Sequence, residues 1–135
     1  MAKYIHPFRK KWGQNFLRDP NIIRKIIRCL KPNENDVILE IGPGYGSLTQ
    51  KIASMNPNTI FAVEKDKKLA FFLKKNFKKL NNIKIINSDI INIIKNKNLG
   101  QNIVVFGNLP YNISTQILTS LVLLEKWPPW YEILI

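Results

Sequence analysis

Apolar positions along the chain fall into two periodicities that take turns. Ile22, Ile23, Ile26, Ile27 and Leu30 recur at the three- and four-residue spacing of a helix with one buried face. Val37 to Ile41 is instead a short, nearly continuous apolar run, as in a strand covered on both faces. Asp19-Pro20 opens the first segment as an N-cap followed by proline in the first turn, where a missing N–H leaves nothing unpaired, and Pro32 closes it. The alternation then continues. A helix is predicted from about Ser47 with Leu48, Ile52 and Met55 on one side, then a strand over Thr59 to Val63. A helix beginning near Asp66 carries the stripe Leu69, Phe72, Leu73, Phe77, Leu80, and a strand over Ile83 to Ile86 follows. Ile103 to Phe106 reads as strand four. A helix from about Ser114 to Leu124 precedes the Trp127-Pro128-Pro129-Trp130 corner, and Tyr131 to Ile135 reads as strand five. Strands separated by helical segments predict an α/β fold with a mainly parallel sheet. In such folds a ligand lies at the carboxyl ends of the strands, where strand order reverses.

Composition narrows this picture. A chain of 135 residues, 45% hydrophobic and 22% charged, is the size of one domain with a single core. No apolar stretch approaches the ~20 residues of a membrane-spanning helix. The single cysteine, Cys29, excludes an intrachain disulfide and a thiolate cluster; its place in the first apolar segment predicts packing. Met1 to His6 contains no apolar leader core, so a cytoplasmic setting is expected. Twenty-one Lys and Arg against nine Asp and Glu leave a charge of +12, a field that attracts polyanions, with RNA the first candidate. Lys67, Lys68, Lys74, Lys75, Lys78 and Lys79 lie mostly off the apolar stripe of the third helix, as a solvated face or an RNA-facing one. The last apolar run stops at Ile135 without a turn or cap, which predicts a fragment.

Candidate chemistry gathers at the strand ends. Strand one runs into Glu40-Ile41-Gly42-Pro43-Gly44-Tyr45-Gly46, whose glycines permit a tight turn and let backbone N–H groups approach a ligand at a helix N-terminus. Strand two ends at Glu64, 22 residues past Gly42, the separation at which a carboxylate meets a ribose diol; ordinary loop charge is the alternative. After strand three, Asp89 is either an acceptor for an adenine amino group or the N-cap of a helix starting at Ile90. A nucleoside-containing cofactor accounts for all three positions. The dinucleotide fingerprint is broken by Ser47 where glycine or alanine belongs. Glu40 can reach an ammonium group, which the methionine part of S-adenosylmethionine offers and NAD does not. Methyl transfer is therefore the better reading, and a nicotinamide oxidoreductase the poorer one.

Strand four surfaces into Asn108-Leu109-Pro110-Tyr111. An adenine amino nitrogen is a weak nucleophile because its lone pair is delocalised into the ring. The side-chain oxygen of Asn108 and a backbone carbonyl near Leu109 can accept both amino hydrogens and localise that pair. Pro110 stiffens the turn, and Tyr111 offers a face on which an unstacked base can lie, a gain of ~1–3 kcal/mol. The displacement needs no metal. An Asn-Pro turn with a core tyrosine is the plain alternative.

Gly13-Gln14-Asn15-Phe16-Leu17, the run from Glu40 to Thr49, Val63-Glu64-Lys65-Asp66, Ser88-Asp89 and Gly107 to Thr115 together resemble the ribosomal RNA adenine dimethyltransferase family. Order and spacing agree from about Lys11 onward. The resemblance implies a Rossmann-like S-adenosylmethionine-dependent methyltransferase fold. It implies that Gln14, Asn15 and Leu17 help close the cofactor site, that Gly42 and Gly44 border the methionine part, that Glu64 takes the ribose and that Asp89 takes the adenine. Asn108, Leu109, Pro110 and Tyr111 match the target-adenine motif, with Asn108 bordering the cofactor as well. The implied activity is dimethylation of two adjacent adenosines in small-subunit rRNA, on the assembling subunit, by a monomer without metal or membrane. Leu109 and Gly13 favour that branch over the large-subunit one. Residues 1–135 then form an incomplete methyltransferase domain without the family's small helical C-terminal domain, which helps grip RNA. A catalytically silent RNA-binding fragment on the same fold is the competing expectation.

Overall fold

A computed structural model describes residues 20–96, 103–107, 115, 116, 119 and 131–134. Its elements follow the alternation of the chain: α1 Pro20–Leu30, β1 Val37–Ile41, α2 Ser47–Ala53, β2 Thr59–Glu64, α3 Lys67–Asn76, β3 Ile83–Asn87, α4 Ile90–Asn96, β4 Ile103–Gly107 and β5 Tyr131–Leu134. Residues 115, 116 and 119 are helical, within the helix expected from Ser114; Trp127 and Trp130 lie outside the described residues.

The five strands form one sheet in the order β3-β2-β1-β4-β5, and every neighbouring pair is parallel. The order follows from chain handedness. Right-handed crossovers that step the same way, β1 to β2 to β3, place α2 and α3 on one face of the sheet; the return step from β3 to β4 places α4 on the other. Two cores result. Ile38, Ile60 and Phe106 pack with Ile23 and Leu30 of α1, Leu48 and Ile52 of α2 and Leu73 of α3. Leu39, Ile41, Val63, Ile103 and Val105 pack with Ile90 and Ile93 of α4. Successive strand residues alternate between these cores, so Glu40 and Glu64 share a face with Ile38 and Ile60, toward α1, α2 and α3. Strand order reverses between β2 and β4, on either side of β1, so the crevice predicted for a ligand opens beside the end of β1.

Three expectations are corrected. Cys29 is exposed: at about 100° per residue it falls outside the inward arc through positions 23, 26, 27 and 30. Met55 is 45% exposed because α2 ends at Ala53, and Leu80 is 42% exposed because α3 ends at Asn76. A side chain beyond the last helical turn no longer follows the helix face. No helix among the described residues is long and apolar enough to cross a membrane.

Candidate active site

The end of β1 feeds a turn in which Gly42, Gly44 and Gly46 all have positive φ, at 66°, 60° and 84°. The two later glycines are needed for different reasons. A Cβ on Gly46 would lie 2.6 Å from the Phe77 ring and 2.8 Å from Leu73. A Cβ on Gly44 would meet nothing within 4 Å among the described residues. Gly46 therefore lets α2 start tight against α3, while Gly44 presents bare backbone to open space, where a ligand can come close.

Hydrogen bonds knit this turn to the ends of β2 and β3. The Gly42 N–H donates to the Val63 carbonyl at 2.9 Å, and the Ser88 N–H to the Glu64 carbonyl at 3.2 Å. The Glu64 carboxylate accepts from the Gly44 N–H at 3.2 Å and from the Asp66 N–H at 3.0 Å. Asn87 donates through its side-chain amide to the carbonyls of Glu64, at 2.9 Å, and Lys65, at 3.2 Å. Asp66 is the N-cap of α3, accepting from Lys68 and Leu69 N–H groups. Asp89 uses one oxygen to accept from the Ile91 N–H at 2.9 Å, so it does cap α4, and its other oxygen stands 3.4 Å from Lys65 Nζ. Its side chain remains 40% exposed.

Glu40 is buried and accepts a 2.5 Å hydrogen bond from the Thr49 hydroxyl. Burial raises its pKa from 4.5 to about 8; the Thr49 bond opposes the shift and the charge of Glu64 adds to it. The Glu64 pKa is raised too, by burial, against the N–H bonds from Asp66 and Gly44 and with the help of the Asp66 charge. Neither carboxyl group has a cationic partner among the described residues, and those residues contain no cluster of three or more potential metal ligands. Two buried acids at one strand-end rim, beside uncovered backbone, suit a ligand that brings hydroxyl donors and a positive charge.

Five of the residues singled out from sequence thus come together: Glu40, Gly42, Gly44, Glu64 and Asp89. Gln14, Asn15, Leu17, Asn108, Leu109, Pro110 and Tyr111 lie outside the described residues. Gly107, the last residue of β4, pairs with Ile41, the residue before the glycine turn. Sequence reasoning missed Thr49, Asn87 and Lys65. Thr49 follows Glu40 by nine positions, and only the reversal of chain direction through the turn brings the pair together.

The family model described as ribosomal RNA adenine dimethylase matches residues 5–132. The chain belongs to that family. Its relatives among the adenine dimethylases include the ribosomal RNA small subunit methyltransferase A of Pelagibacter ubique (strain HTCC1062), 42% identical over 127 residues. That alignment covers 94% of this chain and 47% of the relative. The protein of the same name from Wigglesworthia glossinidia brevipalpis is 43% identical over 121 residues, covering 87% and 46%. This chain therefore spans less than half the length of either relative. Among solved structures, the 23S rRNA methyltransferase ErmE superposes with a TM-score of 0.72 at 27% identity, covering 87% of this chain and 45% of that one. A dimethyladenosine transferase from Plasmodium falciparum gives 0.68 at 26%, covering 85% and 41%. The parallel sheet is that of a Rossmann-like methyltransferase, and membership implies a methyl donor of the S-adenosylmethionine type.

Proposed function

We propose that this protein forms the cofactor-binding part of an S-adenosylmethionine-dependent methyltransferase that dimethylates N6 of two adjacent adenosines in small-subunit rRNA during ribosome assembly. The observation that carries the reading is the hydrogen-bonded rim at the ends of β1, β2 and β3. It holds buried Glu40 and Glu64 next to the uncovered backbone of Gly44. In this reading Glu64 accepts from ribose hydroxyls, and the part-exposed Asp89 carboxylate from an adenine amino group. Glu40 pairs with an ammonium group, and Gly42 and Gly44 border the methionine part. Gln14, Asn15 and Leu17 close the site.

When bound, S-adenosylmethionine supplies an electrophilic methyl group on a sulfonium. The chain's own contribution is to the nucleophile. Asn108 and the carbonyl near Leu109 accept the amino hydrogens of the target adenine and keep its lone pair on nitrogen. Pro110 holds the turn, and Tyr111 stacks the extracted base. The chain acts as a monomer in the cytoplasm, with small-subunit rRNA as its partner and no metal.

Calorimetric titration with S-adenosylmethionine, with NAD as the competing ligand, tests the cofactor assignment: saturable binding of the first alone is expected, and binding of NAD instead overturns it. Methyl transfer to immature small subunits tests the substrate. Asn108→Ala should lower the transfer rate by orders of magnitude with cofactor affinity nearly unchanged, whereas equal loss of both would remove Asn108 from its role toward the amine.

A further inference from the structure

The outer face of α3 carries an aromatic ring that the hydrophobic stripe does not use. Leu69, Ala70 and Leu73 point into the core, and Phe72 packs edge-on against Tyr45 at a centroid distance of 5.8 Å. Phe71 is 71% exposed. On a helix the residues one turn to either side of position 71 are 67, 68, 74 and 75, and all four are exposed lysines. Lys78 and Lys79 extend the positive face past the end of the helix. The sequence contains no Asp or Glu between Asp66 and Asp89, and none of these lysines is ion-paired among the described residues. A single exposed apolar residue is ordinary on a protein surface. A phenyl ring centred among four unpaired cations is the arrangement that grips unpaired nucleic acid: the lysines track phosphates and the ring stacks a base.

We propose that this face of α3, centred on Phe71, docks an unpaired segment of RNA, as a contact separate from the pocket that takes the target adenine. The proposal rests on the methyltransferase reading for the identity of the RNA but not for the contact itself. Charge complementarity selects a polyanion, and the exposed ring selects unpaired bases over duplex, because a paired stack offers no base face along its length. α3 begins at Lys67, three residues beyond Glu64 at the cofactor rim. An RNA held on this face therefore approaches the rim from the β2–β3 side of the sheet.

The test is fluorescence anisotropy of the protein with a labelled RNA hairpin carrying an unpaired loop, against a fully paired RNA of equal length, at salt concentrations from about 50 to 200 mM. Phe71→Ala should weaken loop binding about tenfold, as the loss of one stacked base does, with little change for the duplex; Phe71→Tyr should restore it. Lys68→Gln with Lys75→Gln should weaken both RNAs and flatten the salt slope by about 0.7 per lysine. Unchanged loop affinity in Phe71→Ala overturns the proposal, as does equal loss for loop and duplex. Equally tight binding of polyglutamate would assign the face to an acidic protein and overturn it too. S-adenosylmethionine titration on the same samples separates the two readings. Intact cofactor binding with no Phe71 effect removes only the docking face, whereas an intact Phe71 effect without cofactor binding removes only the cofactor-site reading.

Discussion

The strand-end rim and the outer face of α3 are joined by a single turn of chain, yet they handle charge in opposite ways. At the rim, Glu40 and Glu64 are withdrawn from water and held by Thr49 and by the backbone N–H groups of Gly44 and Asp66. Three residues on, Lys67 and Lys68 begin a row of cations that stay in water. Burial makes the rim acids few, fixed in place and shifted in pKa, which suits recognition of one small ligand by geometry. Exposure makes the α3 charges numerous, mobile and screened by salt, which suits attraction of a polyanion whose phosphates need not be met one by one. Titratable side chains thus serve precise or diffuse recognition according to where the fold places them.

Substitutions at the two later glycines of the turn should have the largest effects. Gly46→Ala combines a left-handed backbone with a collision against Phe77 and Leu73, and should lower stability by roughly 3 kcal/mol in urea denaturation. Gly44→Ala meets only the backbone strain, about 1 kcal/mol, and should lose cofactor affinity instead. Next in size, Glu64→Ala removes an acceptor of hydrogen bonds and should weaken S-adenosylmethionine binding about 10- to 100-fold by calorimetry, with only a weak dependence on salt. Lys68→Gln should leave that binding unchanged.

The pH response sharpens the contrast further. Between pH 4.5 and about 8 the folded protein keeps the Glu40 proton that the unfolded chain has released, so stability should fall as pH rises across that window. The upward shift of Glu64 acts in the same direction. Glu40→Gln should flatten the decline seen by denaturation at pH 5 and pH 8. If Glu40 pairs with the ligand's ammonium, binding must release that proton, and affinity should rise over the same window in the wild type but not in Glu40→Gln. The smallest effect belongs to the exposed side: Phe71→Ala should change stability by less than about 0.5 kcal/mol in thermal melts, since most of the residue stays in water.

Element positions were legible because the two apolar periods are clean. The bounds of α1 and β1 agree with those read from the pattern, and β2, β3 and β4 extend each by one residue at the carboxyl end. Those added residues include Glu64, Asn87 and Gly107, at the rim itself, where a polar residue or glycine interrupts the apolar run although the ladder continues. The exposures of Cys29, Met55 and Leu80 were misread for a related reason: apolar type predicts burial only while the residue stays on the inward arc of its helix. For Asp89 the sequence allows acceptor or cap, and the structure shows the capping bond while leaving the side chain part-exposed.

Local spacing encodes the alternation of strand and helix, the glycine turn, an acid near the end of each of the first three strands, and the excess of positive charge. Which of these residues meet is settled only in the folded chain. Strand register put Glu40 and Glu64 on one face, crossover handedness covered that face with α2 and α3, and the turn carried Thr49 back onto Glu40. The inward stripe of α3 left Phe71 alone among lysines. These are properties of packing between segments distant along the chain, and burial, which sets the protonation of Glu40 and the exposure of Phe71, exists only once those segments have come together.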